Sequence, residues 1–363
     1  MVKTGDGRVH LALAAHMPYP KTATLSPAEA TEIGNAYDLI AANPGTFQGL
    51  EAEVVTGGPQ MLLYTKAAAV RNAGLPEATY AHRAGGSMSK ADRKYDPTWK
   101  VFTAQAGSDA WRSYHLDQLL AAPAWAQGYY ADAVVMSWSQ GGHKPGKPPS
   151  LAAQYTLEEW LALMSADLDY FAQQTGKPPL AINGLRAQTL AALSPRVGMM
   201  ENAWRSQGGA LPNPDQWVTT MDTLAQAQAQ GWVPWAFVKL FDMSTSLWDR
   251  WRRMAAPSAL LADAGSFLLG FGGCEGSPPA WVTNEHRQAC WTPDIGKPTS
   301  PPWPIDASAD GTYRRAFEQG FVVYNPGTNG VTVSRAGGTQ TFPVGPQEGI
   351  ILRHTADGWV LVA

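Results

Sequence analysis

Between Val9 and Phe271 the chain switches repeatedly from short apolar runs to longer stretches of helical spacing, and each switch carries a cap, a proline or a glycine. Residues 9–15 form an apolar run ended by Pro18 and Pro20, which reads as a first strand. Ser26, Pro27 and Glu29 then supply an N-cap, a proline at the first helical position and the returning carboxylate of a capping box. They predict a helix reaching to about residue 42, where Asn43, Pro44 and Gly45 stop it. Further strands are predicted over 60–67, 99–104, 129–136, 180–183, 197–200, 232–240 and 266–271. Helices are predicted to start at Ser108, at Thr156 (where Glu159 reciprocates) and at Asn213. A Trp/Arg-rich helix over 246–254 and a second helical segment around Leu260 precede the last of these strands.

Two connections are long. Residues 74–97 are a polar, Gly-rich excursion, and 137–154, rich in Gly, Pro and Lys, exceed the usual strand-to-helix link, which suggests a lid or a subsite wall. Eight strands alternating with helices, without a Gly-rich phosphate loop, predict an α/β fold: a closed (β/α)8 TIM barrel over residues 1–295. Beyond Ile295 the texture changes to a proline-rich linker and then short β-rich runs with turns at Asn325 to Gly327 and Asn329–Gly330. Residues 296–363 therefore read as a linker and a small C-terminal antiparallel β domain.

Composition narrows the partners. The net charge of −3 and scattered Lys and Arg leave no footprint for nucleic acid. The most apolar window, 258–273, is short and interrupted by Asp263, so no membrane span is expected. The N-terminal apolar run carries His10 and reads better as a strand than as a signal peptide. Cys274 and Cys290 lie close together in one loop, compatible with a disulfide and equally with two unrelated thiols; a location outside the cell or on a cell or virion surface is the expectation. Fifteen tryptophans point toward flat apolar faces for sugar rings, hence a polysaccharide or oligosaccharide partner. Oligomeric state is not encoded in any pattern.

In a TIM barrel the chemistry sits at the C-terminal ends of the strands. The fourth predicted strand brings Asp132 there, with Trp138 beyond it; the fifth brings Asn183, the sixth Glu201, the seventh Lys239 and Asp242, and the second Tyr64. Asp132 and Glu201 are placed to face each other as the two carboxylates of glycoside hydrolysis, one protonating the leaving oxygen and the other acting as nucleophile or base. Each also has a bland reading. Asp132 can be a structural carboxylate bonded to Lys239 or a backbone amide, Glu201 a helix-start residue, Asn183 before Gly184 a turn, and Lys239 an ion-pair partner. Trp138 and Trp204 are candidate sugar platforms, with core packing as the alternative. Metal and cofactor chemistry find no support: the seven histidines lack metal-ligand spacing, and no nucleophile elbow is present.

The run from Gly128 through Tyr129, Tyr130, Ala131 and Asp132 to Val134 resembles the strand-four signature of glycoside-hydrolase-like TIM-barrel families, the hypothetical glycosyl hydrolase group numbered fifteen among them. Trp111 to Tyr114, Tyr155 to Trp160, Ala181 to Gly184, Gly198 to Asn202, and the C-terminal Tyr313 to Phe317 with Gly320 to Pro326 resemble further segments in the same order. The resemblance implies a barrel acting on polysaccharide, with Asp132 and Glu201 as the two acids, Glu201 as general acid/base and Asp132 as nucleophile or base, or the reverse. Ala133 stands where relatives often carry a second acid. A non-catalytic carbohydrate-binding or structural module of a cell surface or phage virion is the alternative this departure raises.

Overall fold

The computed structural model of the chain describes residues 4–15, 24–82, 89–90, 93–96, 100–132, 134, 156–194, 196–204, 210–240, 245–273, 288–334 and 340–362. Strands β1 (Ala12–Ala15), β2 (Leu39–Ala42) and β3 (Gln60–Lys66) open a parallel barrel. In the connection that follows, β4 (Ala69–Val70), β5 (Tyr95–Asp96) and β6 (Val101–Thr103) form a separate antiparallel sheet. Strands β7 (Gly128–Asp132), β8 (Pro179–Asn183), β9 (Val197–Glu201), β10 (Val233–Leu240) and β11 (Leu268–Gly273) then complete an eight-stranded sheet in chain order. It closes through a parallel bridge between Leu11 and Leu269, whose amide donates to the His10 carbonyl at 2.8 Å. The chain thus forms a (β/α)8 barrel.

The surrounding helices are α1 (Pro27–Ala36), α2 (Glu51–Thr56), α3 (Asp109–Leu120), α4 (Leu157–Thr175), α5 (Ala187–Ala192), α6 (Pro214–Ala229) and α7 (Thr245–Ala262). Their predicted starts agree with the sequence because capping is local: Ser26, Thr156 and Asn213 each accept from the amide three residues on, and Glu29, Glu159 and Gln216 reach back.

Three expectations need correction. The helix that begins at Pro27 ends at Ala36, and Leu39–Ala42 is instead the second barrel strand, buried at every position. Gly34 permits α1 to pack closely on α2, since a Cβ there would lie 2.0 Å from the Val54 carbonyl oxygen, and the chain leaves the helix in extended backbone at Tyr37. The run expected to be the third barrel strand belongs to the small excursion sheet, where Val101–Thr103 pairs with β4 and β5. Finally, the two helical segments expected before the last strand are one helix, with Pro257 inside it.

C-terminal to the barrel, β12 (Tyr313–Ala316) and β13 (Gly320–Asn325) are followed by the hairpin β14 (Val331–Ser334) and β15 (Thr341–Val344), then β16 (Glu348–Thr355) and β17 (Gly358–Leu361). β12, β13, β16 and β17 make an antiparallel four-stranded sheet. One of its faces shares a core with α6 and α7: Trp217 stacks on Tyr324 with ring centroids 4.4 Å apart. The buried Arg315 guanidinium donates to the carbonyls of Leu260 and Asp263 at 2.5 and 2.7 Å, satisfying the end of α7.

Inside the barrel, alternation fixes which side chains meet. Leu62, Tyr130, Ala181, Met199, Trp235 and Phe237 belong to one buried cluster, and each stands two or four residues from a position at the strand's C-terminal end. Gly270 makes the space this aromatic filling requires: a Cβ there would come within 2.4 Å of the Trp235 indole nitrogen. Tyr130 lies between Tyr64 (5.4 Å between centroids) and Trp235 (5.7 Å), so an aromatic column supports the barrel mouth.

Candidate active site

Four polar side chains continue that interior parity by one step. Register pairs Tyr64 with Tyr130 and Lys66 with Asp132 across β3 and β7, Asn183 with Met199 across β8 and β9, and Glu201 with Phe237 across β9 and β10. Because side chains alternate, Tyr64, Asp132, Asn183 and Glu201 all stand at the working end of the barrel.

They also bond to one another. The Tyr64 hydroxyl donates to Asp132 Oδ2. Asn183 Nδ2 donates to Asp132 Oδ1 at 2.9 Å and to Glu201 Oε2 at 3.2 Å, so one amide nitrogen joins the two acids. Gly184, at φ 120°, turns the backbone immediately afterwards, and its amide and that of Leu185 donate to the Met199 carbonyl. The turn and the site are therefore served by the same dipeptide.

Burial pushes the Tyr64 hydroxyl well above its ordinary pKa, and the charge and hydrogen bond of Asp132, with the charge of Glu201, push it the same way. Tyr130 is raised for the same reasons, burial first and Asp132 next. Tyr64 is accordingly a proton donor rather than a phenolate. Among the positive charges, Arg71 acts on Tyr64 in the opposite direction. Sequence reasoning passed over Arg71; its signal is its position five residues beyond Lys66, on the connection leaving the mouth.

The other predicted residues fare differently. Trp204 is 2% exposed and packs in the core between barrel wall and helices, so it offers no face to a sugar, and the platform expectation is corrected. The same holds for most tryptophans among the described residues: Trp111, Trp160, Trp204, Trp217, Trp232, Trp235, Trp248, Trp251, Trp291 and Trp303 are all buried. Eight of them fill the core between the barrel wall, its helices and the C-terminal sheet, while Trp235 fills the barrel interior and Trp111 packs with the excursion sheet. Lys239 falls in β10 opposite Gly272, and the expectation for its side chain lies outside the described residues, as do those for Trp138, Asp242 and the loop over 137–154. Cys290 is buried, and Cys274 also falls outside the described residues. Among the described residues no group of three or more His, Cys, Asp or Glu is arranged to hold a metal ion, and no helix is long and apolar enough to cross a membrane.

No protein-family model matches the sequence, and no curated protein matches it. Solved structures do match, and several of them are glycoside hydrolases. A GH27 β-L-arabinopyranosidase from Geobacillus stearothermophilus in complex with arabinose superposes with a TM-score of 0.51 at 11% identity, covering 95% of this chain and 96% of its own. A GH31 dextranase from Flavobacterium johnsoniae complexed with glucose gives 0.52 at 12% identity, with 99% of this chain spanning 54% of the dextranase. A pullulanase from Paenibacillus barengoltzii in complex with maltohexaose and alpha-cyclodextrin gives 0.51 at 10%, covering 96% and 77%. At these identities the likeness is one of fold: a glycosidase-like TIM barrel with an antiparallel sheet after it.

Proposed function

We propose that the chain is a glycoside hydrolase that cleaves an extracellular polysaccharide, using Asp132 as nucleophile and Glu201 as general acid/base. In this reading residues 1–295 form the hydrolytic barrel and 296–363 an appended β domain. The observation that carries it is the Asn183 amide bonded to both carboxylates. Contacts of 2.9 and 3.2 Å to one nitrogen keep the two accepting oxygens close together, which fits the roughly 5–5.5 Å carboxyl spacing of retaining glycosidases better than the roughly 6.5–9.5 Å of inverting ones. The spacing supports retention.

Roles follow from the donors. Both Asp132 oxygens accept hydrogen bonds, from Tyr64 and Asn183, an arrangement suited to an unprotonated carboxylate. Asp132 attacks the anomeric carbon as Glu201, exposed at the end of β9, gives its proton to the departing glycosidic oxygen. The C–O bond to the leaving sugar breaks and an Asp132 ester forms. Glu201 then takes a proton from water, whose oxygen displaces Asp132 and restores the starting state.

The test is incubation with a panel of cell-wall, capsule and plant polysaccharides, read by mass spectrometry and by the anomeric configuration of the first product. Wild-type protein is expected to release oligosaccharide with retained configuration, and Asp132→Asn and Glu201→Gln to fall to background while folded. Unchanged turnover in both variants would dismiss the pair. Binding without cleavage across the panel would favour a carbohydrate-binding module instead.

A further inference from the structure

The turn that follows Glu201 holds two non-glycine residues in left-handed backbone, Asn202 at φ 60° and Trp204 at φ 57°. Asparagine tolerates that region, whereas a bulky residue enters it rarely because its Cβ crowds the backbone carbonyl. The same tryptophan carries a second unfavourable feature. Its indole N–H is buried and finds no hydrogen-bond partner among the described residues. Glycine at this position would relieve the backbone, and phenylalanine would remove the orphaned donor. Two unfavourable features on one side chain, three residues from a functional acid, are what strain held for positioning looks like.

The surroundings show what the strain accomplishes. Glu201 pairs in register with Phe237, and the amide of Ala203 donates to the Phe237 carbonyl at 3.1 Å, so the turn is stitched to β10 directly after the acid. Ala203 and Trp204 are both 2% exposed and sit in the core outside the barrel wall. Glu201, by contrast, is exposed, with Oε2 3.2 Å from Asn183 Nδ2. An anchor on the outer side of the wall and a carboxylate on the inner side are thus joined by a tight elbow.

We propose that Trp204 is a positioning residue that fixes the Glu201 carboxylate against Asn183. The indole acts as a plug that cannot slide, and the left-handed backbone converts its fixed place into a fixed direction for the acid. This rests on the reading of Glu201 as general acid/base, but its first readout needs no substrate.

The experiment compares wild type, Trp204→Phe and Trp204→Gly, each with 13C-labelled glutamate side chains, and follows the Glu201 carboxyl signal, assigned with Glu201→Gln, through a pH titration. Trp204→Phe is expected to keep the wild-type midpoint. Trp204→Gly, whose residue suits the positive φ but lacks the plug, is expected to move the midpoint away from the wild-type value. On the polysaccharide that wild type cleaves, reducing-end release by Trp204→Gly should fall on the order of tenfold to a hundredfold, as for other small misplacements of a reacting group. A folded Trp204→Gly with the wild-type midpoint would overturn the proposal. Should that variant not fold, Trp204→Leu carries the same comparison, with a moved midpoint expected and an unmoved one decisive against. A wild type that cleaves no polysaccharide removes the general-acid reading alone and leaves the titration comparison standing.

Discussion

Asn183 reaches Asp132 across the β7–β8 seam, its amide nitrogen 2.9 Å from Oδ1, and the same nitrogen lies 3.2 Å from Glu201 on the next strand. A neutral amide donor bonded to both acids adds no charge of its own between them, and Asp132 also accepts from Tyr64.

Replacing that donor should therefore disturb both acids together. Asn183→Ala is expected to lower kcat by roughly 100- to 1,000-fold, the range for loss of one preorganised donor. Asn183→Asp adds a third negative charge between the two, which raises the pKa of its neighbours. The kcat–pH profile of Asn183→Asp should shift toward higher pH, and a profile superimposable on wild type would contradict the shared-donor arrangement.

Tyr64→Phe isolates the other donor. The ring still rests on Tyr130, so the melting temperature should change little, while turnover drops by about 10- to 100-fold, as for loss of a hydrogen bond to a charged group. Since burial and Asp132 hold the Tyr64 hydroxyl well above its ordinary pKa, it stays protonated throughout the working range. Wild type and Tyr64→Phe should then share the same alkaline limb, measured as reducing-end release against pH.

At the opposite end of the barrel, His10 supports the seam between β1 and β2. Its ring is 2% exposed, with Nε2 3.0 Å from Asp6 Oδ1 and Nδ1 3.1 Å from Asp38 Oδ1, and Arg8 Nη2 donates to the same Asp38 oxygen at 3.1 Å. Each ring nitrogen faces a carboxylate oxygen, an arrangement that favours the protonated ring. Burial pulls its pKa down, but the hydrogen bond and charge of Asp38, joined by those of Asp6, outweigh burial, and the net shift is upward from 6.5. A raised folded-state value means the stabilisation is complete below the unfolded value and disappears as pH rises through the folded one. The melting-temperature gap between wild type and His10→Gln should be widest at about pH 5.5 and shrink by about pH 9. A gap constant across that range would show that His10 acts through packing alone.

Arg315 tests how firmly the C-terminal sheet is joined to the barrel. Its guanidinium is 3% exposed, burial lowers its pKa to about 10, and it donates to two carbonyls at the end of α7. Arg315→Met leaves those carbonyls unpaired and should cost about 2–4 kcal/mol, read from denaturant unfolding. Because Trp217 and Tyr324 share one core, calorimetry of the wild type should give a single transition. Two resolved transitions would mean that the sheet folds by itself.

The sequence by itself determined what is local. Caps at Ser26, Thr156 and Asn213, the apolar runs of seven of the eight barrel strands, and the acids at the ends of two of them were legible because capping and strand alternation depend on neighbours a few residues away. Tertiary structure decided the rest. Leu39–Ala42 reads as the tail of a helix but pairs as a strand of the barrel wall, and 101–103 reads as a barrel strand until register assigns it to another sheet. Trp204 has the composition of a sugar platform and the position of a core plug. Asn183 was legible as a polar residue beside a glycine, but its bond to both Asp132 and Glu201 depends on the stagger of three strands, β7, β8 and β9. That stagger is set when the sheet closes on its interior filling, a property of every strand at once and of no single segment.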